Sequence, residues 1–277
     1  MNRQPHIGVH LWSIGYAASA VLLLTSSLKA IVIRHDVPDD KYLVDQASFP
    51  PLAELPDEGQ GVLIADRWVV TAAHAVAGRS IPEVEISRHS YPVLRVIVSP
   101  GYKVAPRSIE SGDAAPLMNF KATSDDIALI ELKYSVGGVT PATLYRGSSE
   151  MGKTVEIFGR GATGNGLAGQ YPNSPHRGEL RRAYSRVTEA DGRWLVLRFE
   201  APPNALPLEG SPSDGDSGGP ILIEVDHVWQ LAGLVSHKYA TGKISSYRFA
   251  RYGQLTYQTR ISHYFAWIEA TISPQHS

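Results

Sequence analysis

The feature that most constrains this chain is a succession of short β-rich runs cut apart by turn-forming residues. Apolar and β-branched runs occupy residues 61–71, 91–99, 126–132, 154–159, 194–200, 220–225 and 229–236, with clusters of Gly, Pro, Asp and Ser between them. Short runs bounded in this way are strand signals. No sustained helical period occurs before residue 258. At the C-terminus Ile261, Tyr264, Phe265, Ile268 and Ile272 fall on one face at helical spacing, and Pro274 ends that run. Many strands and one terminal helix predict an all-β barrel or sandwich. The strand–helix alternation of a parallel α/β sheet is missing. Glycine and proline, 25 and 19 of 277 residues, exceed average use and fit a turn-rich fold. Residues 108–124 and 162–177 read as loops.

Hydrophobic residues at 43% and charged residues at 19% specify a chain that buries a core, and its length allows one large or two small domains. A net charge of -1 argues against nucleic acid as the main partner. The absence of cysteine excludes disulfides, cysteine-bound zinc, iron–sulfur clusters and thiol chemistry. Taken alone, it also points to a reducing compartment. The N-terminus points the other way. Arg3 and His6 precede an uncharged stretch over residues 7–28, dense at Ala20-Val21-Leu22-Leu23-Leu24, and small residues lead to Ala30. Residues 1–30 are therefore expected to be an export signal cut after Ala30, which places the protein outside the cytoplasm, secreted or periplasmic. An uncleaved anchor is the second reading, since residues 7–28 could just span a bilayer, and a buried N-terminal helix is the third. Membrane association is expected only if this segment is retained.

Three short segments carry chemistry. Thr71-Ala72-Ala73-His74 puts a histidine at the end of the apolar run Trp68-Val69-Val70. Asp126 leads the apolar run Ile127-Ala128-Leu129-Ile130, where burial can desolvate an acid enough to orient an imidazole. Gly215-Asp216-Ser217-Gly218-Gly219-Pro220 surrounds a serine with glycines, which let backbone N–H groups approach a reacting carbonyl. Each segment alone has a structural explanation: a strand-end histidine, a turn aspartate, a glycine turn. Together, in the order His, Asp, Ser, they resemble the chymotrypsin/trypsin family of serine proteases.

The resemblance runs over most of the chain. Residues 61–64 with 68–70 are similar to the strand that leads to the family's histidine, residues 98–102 to its segment upstream of the aspartate, and residues 157–161 to the opening of its second barrel. Residues 233–236 resemble the strand lining its primary pocket, and residues 264–268 its terminal helix. The fold this implies is two antiparallel six-stranded β-barrels with a C-terminal helix and the active site between them. The first barrel is expected at about 31–150, and the second, with the helix, at about 151–277.

The resemblance also implies roles. Ser217 is the expected nucleophile, His74 its base, and Asp126 the group that holds the imidazole. The N–H groups of Gly215 and Ser217 form the oxyanion hole. Ser236 supports Asp126, and its carbonyl accepts from the substrate backbone. Ser211 falls at the floor of the substrate pocket, where trypsin-like members carry an acid, so a strong Arg or Lys preference is not expected. His237-Lys238 replaces the family's usual Trp-Gly on the pocket wall, which narrows the pocket or favours an acidic side chain. Asp125 is expected to be a solvated turn residue, and Asp214 lies near the pocket without matching its acid position. Ile31, freed by signal removal, would pair its amine with Asp216, although Ile33-Arg34 stands where the family usually has two glycines.

Two other motifs are set aside. Residues 159–164 match the dinucleotide pattern GxGxxG but run into a Gly- and Pro-rich stretch, not a helix. Residues 215–219 match the GxSxG elbow, with Asp226 and His263 downstream, but Pro220 opens a strand where that fold needs a helix. Glu83 and Glu85 read as a solvated surface, with a structural calcium loop as the second reading. No residue pattern points to a catalytic metal or a cofactor. The expected protein is a monomeric secreted endopeptidase acting on proteins or peptides. The reading from a different class is a catalytically silent binding module on the same fold. Ala75 stands where many extracellular relatives have a cysteine, so the barrels must hold by burial and hydrogen bonding alone.

Overall fold

The run predicted over residues 61–71 is two strands rather than one. Gln60–Ala65 and Trp68–Thr71 fold back at Asp66-Arg67 and pair antiparallel. In the computed structural model of the chain they are the second and third strands of a closed barrel. Its strands are β1 (Leu52–Glu54), β2 (Gln60–Ala65), β3 (Trp68–Thr71), β4 (Glu83–Ile86), β5 (His89–Val98) and β6 (Ala128–Leu132). Their order around the barrel is β1-β2-β3-β6-β5-β4. A second closed barrel follows: β7 (Thr154–Gly159), β8 (Arg181–Asp191), β9 (Trp194–Arg198), β10 (Pro220–Val225), β11 (Val228–Lys238) and β12 (Leu255–Arg260). Its order is β8-β9-β12-β11-β10-β7. Every neighbouring pair in both barrels is antiparallel. The fold is thus the chymotrypsin-like one that the motifs implied. The structure describes residues 31–174 and 178–273, together with Met1. The expected export segment and Pro274 lie outside the described residues.

Burial alternation explains β8 and β4, two of the strands that the apolar runs did not reveal. In β8, Arg181, Ala183, Ser185 and Val187 face inward while the residues between them are partly or fully exposed. Glu83 and Glu85 of β4 point to solvent, with Val84 and Ile86 inside. Two-residue turns close the hairpins β4–β5 and β10–β11. Ser87-Arg88 and Asp226-His227 take positive φ at both positions (49° and 65°, then 49° and 62°), the hand that matches strand twist.

The barrels share one apolar core across their interface. Val62, Val70 and Leu129 of the first barrel cluster with Phe158, Leu222 and Leu234 of the second. The C-terminal helix α3 (Ile261–Ile272) seals this core with Ile261, Tyr264 and Ile268, and Phe265 and Ile272 pack at its edge. The chain at Val32–Ile33 pairs with Gly210–Ser211, and Ile31, Ile33 and Tyr42 sit in the core of the second barrel.

One expectation fails outright. The loop expected over residues 108–124 contains the helix α2 (Ala115–Ala122), after the single-turn α1 (Ala73–Val76). Of α2 only Met118 is fully buried, so no amphipathic stripe marks it. Its start follows local rules: Pro116 stands in the first turn, and Asp113 Oδ1 accepts the Ala115 N–H at 2.9 Å. No helix among the described residues is long and apolar enough to cross a membrane.

Candidate active site

Each expected site residue is placed by a strand end. β3 is buried along its whole length, and the chain leaves it through α1, which presents His74. Asp126 lies two residues before β6 and is 6% exposed. Its Oδ1 accepts the His74 backbone N–H at 2.9 Å, and its Oδ2 meets His74 Nδ1 at 2.8 Å. The opposite ring nitrogen, Nε2, lies 2.8 Å from Ser217 Oγ. Ser236 Oγ donates to Asp126 Oδ2 at 2.5 Å, and Thr259 Oγ1 donates to the Asp126 carbonyl at 2.7 Å. Burial alone would raise the Asp126 pKa. Electrostatic attraction to the adjacent His74 imidazole and the hydrogen bonds from His74 and Ser236 outweigh burial and hold it well below the usual carboxylate range.

The serine loop needs its glycines. Gly215 has φ +90° and Gly218 φ +79°, a region side chains other than glycine's rarely enter. A Cβ on Gly218 would lie 2.2 Å from both Gln60 O and Thr71 Oγ1, so the loop sits directly on the first barrel. Gln60 N–H donates to Ser217 O at 2.7 Å across that contact. The N–H groups of Gly215 and Ser217 donate to no acceptor among the described residues.

Behind the serine, Asp216 is fully buried. Its oxygens accept from Gly161 N–H at 2.7 Å, Ser213 N–H at 2.9 Å and Ser213 Oγ at 2.8 Å. Burial dominates these neutral donors and pushes its pKa up to about 6. The GxGxxG-like residues have their role here. A Cβ on Gly159 would lie 2.2 Å from Asp216 Oδ1 and 3.1 Å from the fully buried Ile31, and one on Gly161 would lie 2.8 Å from Asp216 Cγ. The glycines make room for a carboxylate, and no helix follows them.

The pocket residues divide. Ser236, His237 and Lys238 line a cavity of about 210 Å³ beside Ser217, together with Asp214 and Thr256. Ser211 is not among its lining residues; it is buried in the pairing with Val32. Lys238 does not offer a free cation, because Nζ bonds Asp214 Oδ1, and Gln170 Oε1 at 3.0 Å. His237 packs edge-on to Trp194 and stacked on Tyr257, at 4.9 and 5.1 Å between ring centres. Burial and the nearby Lys121 push its pKa down to about 3. Its Nδ1 lies 3.0 Å from Ser236 Oγ. That hydroxyl has one proton, committed to a carboxylate that cannot donate, so the His237 proton sits on Nδ1 and is donated to Ser236.

Asp125 is not a solvated turn residue. Its Oδ1 accepts Tyr264 Oη at 2.9 Å and lies 3.0 Å from Arg193 Nε, tying α3 and the second barrel to the strand that carries Asp126. Motif reading also missed Leu117 and Lys121 of α2, which line the cleft. Nothing local marks residues that meet the site only in three dimensions. Ser213, three residues before Asp216, was readable as a local hydroxyl donor. Asp226 lies at an exposed hairpin turn and His263 contacts Tyr264, so the alternative elbow pairing is not assembled.

The family model described as Trypsin matches residues 43–268. The chain is 29% identical over 234 residues to chymotrypsin-like elastase family member 3B of Macaca mulatta, covering 77% of this chain and 81% of the relative. It is 30% identical over 249 residues to complement C1s-1 subcomponent of Mus musculus, covering 76% of this chain and 32% of that longer protein. A solved structure described as neuropsin, a serine protease expressed in the limbic system of mouse brain, superimposes with a TM-score of 0.62 at 22% identity, covering 84% of this chain and 98% of neuropsin.

Proposed function

This chain belongs to the trypsin family and is a serine endopeptidase; from that premise we propose how its residues cleave a peptide bond. Ser217 Oγ attacks the substrate carbonyl carbon as its proton passes to His74 Nε2. Asp126 keeps the His74 proton on Nδ1 and stabilises the imidazolium that forms. The N–H groups of Gly215 and Ser217 receive the oxyanion. When the C–N bond breaks, His74 gives its proton to the leaving amine, and the acyl-Ser217 ester remains. Water repeats the sequence with His74 as base, releasing the acid and restoring Ser217. The observation that carries this reading is the unbroken path from Ser217 Oγ through His74 to Asp126, with 2.8 Å at each ring nitrogen.

A fluorophosphonate reagent tests it. Covalent labelling that disappears in Ser217→Ala is expected. Absence of label on correctly processed protein would return the chain to a silent binding module. Substrates are proteins or peptides. A strong preference for Arg or Lys is not expected, because Asp214, the one carboxylate among the described residues lining the cavity beside Ser217, is already paired with Lys238.

We also propose that the protein is exported and monomeric, and that removal of residues 1–30 activates it. The support is that Ile31 is fully buried beside Asp216, whose carboxylate has only neutral donors. A free amine on Ile31 would supply the missing cation. N-terminal sequencing of the exported protein is expected to begin at Ile31, and a different start would sink this route.

A further inference from the structure

The wall of the cleft that no motif announced is α2, and it is fastened to the second barrel. Ala114 N–H donates to Gly242 O at 2.8 Å, and Ile244 N–H to Gly112 O at 2.9 Å. Trp194 Nε1 and Arg193 Nη1 reach Ala122 O at 3.3 and 3.1 Å. Held this way, α2 turns Leu117 and Lys121, one helical turn apart, toward the reacting groups. Both residues line the cavity of about 210 Å³ beside Ser217 and a second cavity of about 260 Å³ on the Tyr102 and Trp194 side. His74 lines both cavities as well. Lys121 therefore lines both cavities that the catalytic histidine lines.

Its ammonium has no hydrogen bond or ion pair among the described residues. The nearby acids are engaged or out of reach. Asp126 is held by His74 and Ser236, and Asp214 by Lys238 and Gln170. Glu110, exposed on the rim of the second cavity, forms no ion pair with Lys121. Burial lowers the Lys121 pKa, with Asp126 only partly opposing it. A partly desolvated cation without a counter-charge is costly, and an anion entering the cavity offsets that cost. The peptide backbone brings no such charge, but an acidic side chain does.

We propose that Lys121 is a specificity-determining residue that receives the carboxylate of an acidic side chain of the peptide substrate. The inference rests on the peptidase reading above and names its substrate class: peptides with Asp or Glu at one fixed position near the scissile bond. No bond is made or broken by Lys121; it selects by charge. Lys238, already neutralised, takes no part in this selection.

The test measures binding separately from turnover. Matched peptides carrying Glu or Gln at each position in turn are titrated against Ser217→Ala, and cleavage of the same peptides is followed with the active protein. At one position Glu is expected to bind at least about tenfold more tightly than Gln, the size of one hydrogen bond to a charged group. Adding Lys121→Met or Lys121→Gln is expected to abolish the Glu-over-Gln ratio, and Lys121→Arg to retain it. Equal affinity for Glu and Gln at every position, or an unchanged ratio in both neutral variants, would overturn the proposal. Loss of the peptidase reading has its own signature, absence of fluorophosphonate label at Ser217, which the binding ratio does not affect.

Discussion

Asp126 and Asp216 are both buried within the same site, and each carboxylate accepts three hydrogen bonds. Yet one is held far below the normal carboxylate range and the other is pushed up to about 6. The difference lies in what donates. Asp126 faces an imidazole that can carry charge, together with one amide and one hydroxyl. Asp216 faces two amides and one hydroxyl, all neutral. Counting hydrogen bonds would rate the two sites as equal. What decides the outcome against burial is whether one partner can hold a positive charge.

The largest test of this contrast is Asp126→Asn. The amide keeps the shape but favours the wrong histidine tautomer, so kcat is expected to fall on the order of 10⁴-fold with the fold intact. Turnover of a peptide substrate alongside circular dichroism checks both halves.

The second test is stability against pH. With residues 1–30 attached, the folded-state pKa of Asp216 lies above its unfolded value. Its favourable contribution is therefore full below about pH 4 and is lost as pH rises through about 6. A shift of about two units corresponds to about 3 kcal/mol, read from urea unfolding at stepped pH. A chain that begins at Ile31 is expected to lack this decline, because its amine supplies the absent charge. Asp126 has the opposite sign: its contribution is present above about pH 4 and disappears as pH falls.

Smaller, matched deletions sharpen the comparison. Ser236→Ala removes one donor from Asp126, and kcat/KM is expected to drop about tenfold. Ser213→Ala removes the corresponding hydroxyl from Asp216. The pH transition in stability is expected to move upward by about one unit. A downward shift would show that the hydroxyl does not serve the ionised form.

The triad and serine loop were legible because their signals are local. A histidine one turn past a buried strand, an acid at the head of another and a glycine-flanked serine each announce themselves within a few residues. The barrel strands with strong apolar runs were legible for the same reason. β4 and β8 were missed because charged outward faces dilute their pattern, and α2 because only one of its residues is fully buried. Asp125 was misread because its partner, Tyr264, lies 139 residues away. Lys121, Trp194 and Tyr257 meet the site from separate elements, and no spacing in the sequence records such a meeting.

The bonds that cross between the barrels have a mechanical meaning. Gln60 N–H to Ser217 O, Thr259 Oγ1 to Asp126 O and Tyr264 Oη to Asp125 all stitch the two halves at the site itself. The chain has no cysteine to add a covalent rivet. A slip of about one ångström between the barrels separates Ser217 from His74 while both sheets stay whole, since hydrogen bonding weakens steeply beyond its normal range. Turnover is therefore a strain gauge for the joint: it registers the first loosening of the halves, before either barrel begins to melt.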